Sequence, residues 1–357
     1  MSLALRLRNR ALNLSEYREG RVRLASHPRY VMVELTRGCN LSCPMCRKRR
    51  VGFREQTMRA EVFAKVSAEL FESAEMIDLR GWGESLVLPE FAECMRAAEI
   101  SGAQTRVVTN LSFRQPAVLK ALAAAGTHVT VSLDSAEPSV LAGLRPGAHL
   151  PLIEENLKTL SARYREIWGS AERLTILCTV QLPALAGLYK LAELAWECGV
   201  GEVRLAAVSV PAGSPLALCE APRRVDQALS ELAHACRRRG IAVVVTTQLG
   251  SMPENGGIIP PCIRPWAYVA VNYEGRLGFC DHLIGPVGDR FILGDLRTTP
   301  LQEIWNGVAW MELRREHVGR RDASGPNFSR CSRCYRHRYV EFEDVLVPEA
   351  AERRVYL

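Results

Sequence analysis

The chain has 357 residues, enough for one large domain or two ordinary ones. Hydrophobic residues make up 48% and charged residues 24%, the balance of a soluble globular protein, and no apolar run is long enough to cross a bilayer. Lys and Arg number 46 against 39 Asp and Glu, a dispersed excess of +7 that argues against nucleic acid as a partner and leaves an anionic substrate open.

Residues 1–13 are Arg-rich with scattered Leu but lack the continuous apolar core and small-residue cleavage site of a secretory signal. They predict an amphipathic leading helix with a solvated basic face, and the expected location is cytoplasmic. From 31 to about 207, β-rich runs at 31–35, 76–79, 105–109, 128–133, 174–180 and 202–207 alternate with amphipathic stretches at 60–71, 90–101, 116–125, 152–165 and 185–198. Gly102, Gly126 and Gly199 follow helical stretches as C-terminal caps. Six such repeats predict an α/β fold with parallel strands and helical crossovers. A helix over 222–239 and a strand over 241–246 come next. The segment 250–261 is rich in Gly and Pro and marks a domain boundary. Beyond it, runs at 267–272 and 276–280 flank Tyr273-Glu274-Gly275 as a hairpin, and 301–317 is helical. The expected division is a basic amphipathic segment over 1–30, a barrel over 31–250, a small C-terminal α+β domain over 251–343 and a tail over 344–357.

Twelve cysteines in a chain without a signal point to metal rather than to a disulfide framework. Cys94, Cys178, Cys198, Cys219 and Cys236 stand singly and read as packing residues. Cys39, Cys43 and Cys46 lie in one loop directly after the first strand. Three such thiolates can hold three irons of a cubane and leave the fourth iron open; the alternative is zinc, which needs a fourth ligand from elsewhere. Cys262, Cys280, Cys331 and Cys334 form a second set, able to ligate a [4Fe–4S] cluster fully or a structural zinc ion.

The first cysteine spacing resembles the signature of the radical S-adenosylmethionine superfamily, and its neighbours follow in that family's order. Gly81-Trp82-Gly83-Glu84 after the second strand is similar to the family's Gly-Gly-Glu motif, with Gly83 and Glu84 as the matched positions. Asn110, Ser132, Asp134, Gln181 and Arg204, at or near successive strands, resemble positions that contact the cofactor. The second group, with Gly275 placed before Cys280, resembles the shortened SPASM domain called Twitch.

The resemblance implies a partial (β/α)6 barrel followed by an auxiliary-cluster domain. It implies S-adenosylmethionine on a first [4Fe–4S] cluster, a second [4Fe–4S] cluster, and an external donor such as flavodoxin or ferredoxin. The family's chemistry is reductive cleavage of the cofactor to a 5′-deoxyadenosyl radical that removes hydrogen from a substrate carbon. The expectation is oxidation of an alcohol on a sugar or aminocyclitol, as in radical enzymes of antibiotic biosynthesis, with the second cluster accepting an electron. Decarboxylation or epimerisation of a sugar acid or nucleoside is a variant, with a lone Cys such as Cys178 as the hydrogen-atom donor that epimerisation needs. Peptide maturation and a zinc-stabilised binding protein are the alternatives of other classes. Asp281 and His282, directly after Cys280, are the candidate acid–base residues. Arg80 and Arg264 are candidate anchors for an anionic group.

Overall fold

The computed structural model describes residues 3–46, 55–253, 262–281, 291–318, 331 and 355–357. His282, Cys334 and nearly all of the expected tail lie outside the described residues. Seven parallel strands follow one another across a sheet: β1 (Tyr30–Val33), β2 (Met76–Asp78), β3 (Gln104–Thr109), β4 (His128–Ser132), β5 (Leu174–Val180), β6 (Glu202–Ala207) and β7 (Ala242–Val245). The six expected strands are therefore present in the expected order, and β7 extends them. The C-terminal region continues the same sheet. Its strand β8 (Tyr268–Val271) pairs parallel to β1, and β9 (Arg276–Gly278) and β10 (Gly294–Asp295) add antiparallel strands outside it. At the other edge β11 (Val355–Tyr356) pairs antiparallel to β7.

Between the strands lie α2 (Ala60–Leu70), α3 (Phe91–Ser101), α4 (Pro116–Ala124), α5 (Pro138–Leu144), α6 (Leu150–Trp168), α7 (Lys190–Glu197) and α8 (Pro222–Arg237). Pro at the first turn of α4, α5, α6 and α8 suits positions whose N–H has no intrahelical partner. The helix expected over 185–198 divides into a 3-10 segment, Leu182–Gly187, and α7. Gly187 lies so close to Glu137 that a Cβ there would collide with its Oε1. The helix expected over 301–317 likewise divides into α10 (Leu301–Trp305) and α11 (Val308–Val318), following the short α9 (Arg264–Ala267). Asn306, at that break, uses its side chain to bond both the N–H and the carbonyl of Leu24. No helix among the described residues is long and apolar enough to cross a membrane.

Strand register sorts the side chains into two faces. Met32 stands beside Asp78 and Ala270, Asp78 beside Arg106, Val108 beside Thr130, Thr130 beside Thr175, and Leu177 beside Arg204. This inner face carries the polar side chains. Residues of the other parity, among them Val31, Ile77, Val107, Val131, Ile176, Cys178 and Val203, are buried in the hydrophobic core. Full burial of each Val or Ile contributes roughly 1.5–3 kcal/mol, so the outer face fixes the register and leaves the inner face free for chemistry.

The leading helix, α1 (Leu3–Arg18), reverses part of the expectation drawn from its composition. It buries Arg6, Asn9, Asn13 and Glu16 and exposes Leu3, Leu5, Leu7 and Leu12. Several of the inward polar atoms find partners: Asn13 donates to Ser26 Oγ and to the Trp266 carbonyl, and Glu16 accepts from the Ala25 and Ser26 amides. Hydrogen bonds dock this helix together with Leu14 and Tyr17, which pack against the core, the Tyr17 ring meeting Trp266 edge-on at 5.4 Å.

Candidate active site

The loop after β1 carries the first three thiols at the C-terminal end of the strands, where barrel and open α/β folds place their sites. Its entry is fixed on two sides. Thr36 bridges to Thr57, and the Arg37 amide bonds the Gln56 carbonyl at 2.8 Å. From the exit of β2, the Gly83 amide bonds the Thr36 carbonyl at 3.1 Å and the Glu84 amide bonds the Gly38 carbonyl at 2.8 Å. A Cβ on Gly83 would collide with the Gly38 carbonyl oxygen and lie 2.7 Å from that of Thr36, so only glycine allows this approach.

Within the loop, Cys39 Sγ accepts from the Leu41 amide at 3.4 Å, and Asn110 Nδ2 points to it at 3.9 Å. The Cys46 amide bonds the Cys43 carbonyl at 3.1 Å, which turns the chain between those two thiols. Burial pushes the Cys43 thiol up to about 11, against the opposing charge of Arg145. Cys39, Cys43, Cys46, Cys262, Cys280 and Cys331 are not in disulfides. N–H donors at Cys39 and a buried cation near Cys43 suit thiolates that ligate a cluster. The donor types suit the group the spacing implies, while among the described residues no three His, Cys, Asp or Glu side chains are gathered so as to hold a metal ion.

Glu84 turns its side chain inward and is 2% exposed. Its Oε2 accepts from the Asn110 amide at 2.7 Å and its Oε1 from the Leu86 amide at 3.4 Å, so it brackets the ends of β2 and β3. Burial raises its pKa to about 7. The Asn110 side chain reaches Asn40 in the cysteine loop at 2.9 Å. Ser132 ends β4 on the inner face. Asp134 is fully buried, and Arg145 grips it with two bonds of 2.8 and 2.9 Å. Asp134 also accepts from the Thr179 amide and from Gln181 Nε2, each at 2.9 Å. Gln181 is fully buried and its Oε1 has no partner among the described residues, which leaves one acceptor open at the top of β5.

Gly83, Glu84, Asn110, Ser132, Asp134 and Gln181 thus gather at strand ends around the cysteine loop. Arg204 stands apart. It lies within β6 and donates to Glu202 at 2.6 Å, towards the start of the strand. It is also near His128, the first residue of β4, whose pKa burial and then Arg173, Arg106 and Arg204 hold down at about 4. Cys178 is fully buried with the parity of the outer face, and its Sγ donates to the Asp134 carbonyl at 3.7 Å.

Sequence reasoning misses two residues of this region. Arg145, in the loop between α5 and α6, supplies the buried cation described above, and Pro146 beside it accepts from the Ser42 amide at 3.0 Å. Glu34, just after β1, is buried; its carboxylate accepts from Arg37 at 3.2 Å and from the Trp82 and Tyr273 amides. Burial raises the Glu34 pKa against the pull of Arg37. Parity with Tyr30 and Met32 is the one sequence signal for Glu34. For Arg145 there is none.

At the second group, Cys280 follows β9, and Asp281 beside it is bound on both oxygens. Arg264 Nη1 meets Oδ1 at 2.5 Å and Arg80 Nη2 meets Oδ2 at 3.1 Å. Asp281 is therefore an ion-pair centre rather than a free proton acceptor, and the two arginines expected to await an anion already hold one. Arg80 continues to the buried Asp78 at 3.0 Å, which accepts from Tyr30 at 2.6 Å.

A family model for the radical SAM superfamily matches residues 33–180, and one for an iron–sulfur cluster-binding (SPASM) domain matches 262–335. A curated relative, a tungsten-containing aldehyde ferredoxin oxidoreductase cofactor-modifying protein of Pyrococcus furiosus, is 33% identical over 103 residues. That match spans 28% of this chain and 29% of that protein, less than a third of either. SuiB of Streptococcus suis superposes with a TM-score of 0.64 at 13% identity, covering 87% of this chain and 72% of SuiB. The structure of anSMEcpe with bound AdoMet gives 0.62 at 16% identity, covering 81% and 84%. At those identities the two structures share the fold. Residues 33–180 thus carry a radical SAM domain and residues 262–335 a SPASM iron–sulfur domain, a pairing that implies S-adenosylmethionine and [4Fe–4S] clusters as cofactors.

Proposed function

We propose that this enzyme oxidises a secondary alcohol of a sugar- or aminocyclitol-type molecule to a ketone. Bound S-adenosylmethionine on the first cluster supplies the hydrogen-atom acceptor, and the second cluster supplies an electron acceptor. The substrate carbon gives up one hydrogen atom and one electron, and its hydroxyl gives up a proton. The observation that carries the reading is the Arg80–Asp281 bridge. It joins the residue after Cys280, which the β8–β9 register sets beside the start of β8, to Arg80 just past β2 and three residues before Gly83, so an inner-face ion pair links the regions of the two cysteine groups. Cys39, Cys43 and Cys46 would hold the first cluster, and Cys262, Cys280, Cys331 and Cys334 the second. The polar inner face, with Glu34, Asn110 and Gln181 at its top, suits a polyhydroxylated molecule.

Peptide modification is the second reading, because the SuiB fold has also been solved with its precursor peptide SuiA. One experiment separates them. The anaerobic, reconstituted enzyme is given S-adenosylmethionine, a low-potential reductant, and either carbinol-deuterated aminocyclitols and sugars or a panel of peptides. The expected result is 5′-deoxyadenosine carrying one deuterium, matched by an equal amount of ketone. Release of 5′-deoxyadenosine only with peptides, or a decarboxylated or epimerised product, would overturn the proposal.

A further inference from the structure

The second cysteine group has a cation built against one of its sulfurs. Arg264 Nη1 lies 3.1 Å from Cys280 Sγ, and the Arg264 side chain is only 4% exposed. Its position is over-determined: the guanidinium stacks on the Tyr268 ring at 5.0 Å, and the same Nη1 meets Asp281 at 2.5 Å. Asp281 is held in turn by Arg80, which is anchored on buried Asp78. The sulfur therefore faces a full positive charge whose strength is moderated by one carboxylate.

We propose that Arg264 and Asp281 set the reduction potential of the auxiliary cluster in opposite directions. Arg264 acts through the Cys280 sulfur: a hydrogen bond and positive charge there favour the more negative, reduced cluster. Asp281 partly offsets that charge and keeps the guanidinium aimed at the sulfur. Both are positioning residues rather than catalytic ones. Through Arg80, the same array connects the cluster ligand to the inner face of β2, so charge on the substrate side and potential on the cluster side are coupled. This inference rests on Cys280 being a ligand of a second [4Fe–4S] cluster.

The test is an anaerobic redox titration followed by electron paramagnetic resonance, on reconstituted wild type and the Arg264→Gln, Arg264→Lys and Asp281→Asn variants, with iron counted in each. Arg264→Gln is expected to move the second centre to more negative potential. Arg264→Lys, which keeps the charge but not the fork, moves it less. Asp281→Asn moves it to more positive potential. The first centre stays in place throughout. Should Arg264→Gln lose its second cluster, the other two variants still decide the sign. An unchanged second centre, a shift of the same sign in Arg264→Gln and Asp281→Asn, or an equal shift of both centres would overturn the inference. Wild type with about four irons and one titrating centre would instead overturn the ligand assignment on which it rests.

Discussion

Gly83 is the residue on which the first cluster loop closes. Its missing side chain lets the backbone at the exit of β2 lie against Thr36 and Gly38, one residue before Cys39. Gly83→Ala is expected to lose about four irons per chain and to lower S-adenosylmethionine cleavage more than about 100-fold, as read by iron analysis and 5′-deoxyadenosine yield. Glu84 gives a pH signature. Its folded pKa, about 7, lies above the ordinary 4.5, so the folded state holds the extra proton. Its contribution is therefore full below about 4.5 and is lost as pH rises through 7, by on the order of 3 kcal/mol. Denaturant unfolding between about pH 4.5 and 7 is expected to show a downward slope with rising pH that Glu84→Gln flattens; identical slopes would show the carboxyl to be ionised throughout. The motif residues are legible because glycine and cysteine spacing records backbone demands directly. The inward turn of the Glu84 side chain is not, since it depends on the Asn110 amide brought in by β3.

Among the elements, the alternation of apolar and polar residues makes the parallel strands readable, and it holds the answer for Cys178 as well. Ile176, Cys178 and Val180 share one parity, and Thr175, Leu177 and Thr179 the other, so the thiol belongs to the helix-covered face. Cys178→Ala is expected to leave product formation within about twofold and to cost on the order of 1 kcal/mol of stability. A loss of turnover with the clusters intact would instead support the hydrogen-donor role. The Asp134–Arg145 pair joins the end of β4 to the loop after α5, and pairing across that distance leaves no trace in the sequence. Removing one partner strands a buried charge, so Asp134→Ala is expected to destabilise the fold by roughly 3–5 kcal/mol in denaturant unfolding. A change below about 1 kcal/mol would mean that Arg145 finds another partner.

At the scale of the molecule, one sheet joins both cysteine regions: β8 and β9 extend it directly from β1, the strand that leads into the first cluster loop. The Gly- and Pro-rich segment reads as a boundary in the sequence but hides this continuity, because the β1–β8 pairing spans the whole barrel in sequence. The most direct test is anaerobic iron, sulfide and zinc analysis of the purified protein beside the Cys39/Cys43/Cys46→Ala variant. About eight irons per chain, falling to about four in the variant, is the expected result for two [4Fe–4S] clusters held by separate cysteine groups. Zinc without iron after anaerobic reconstitution would contradict it.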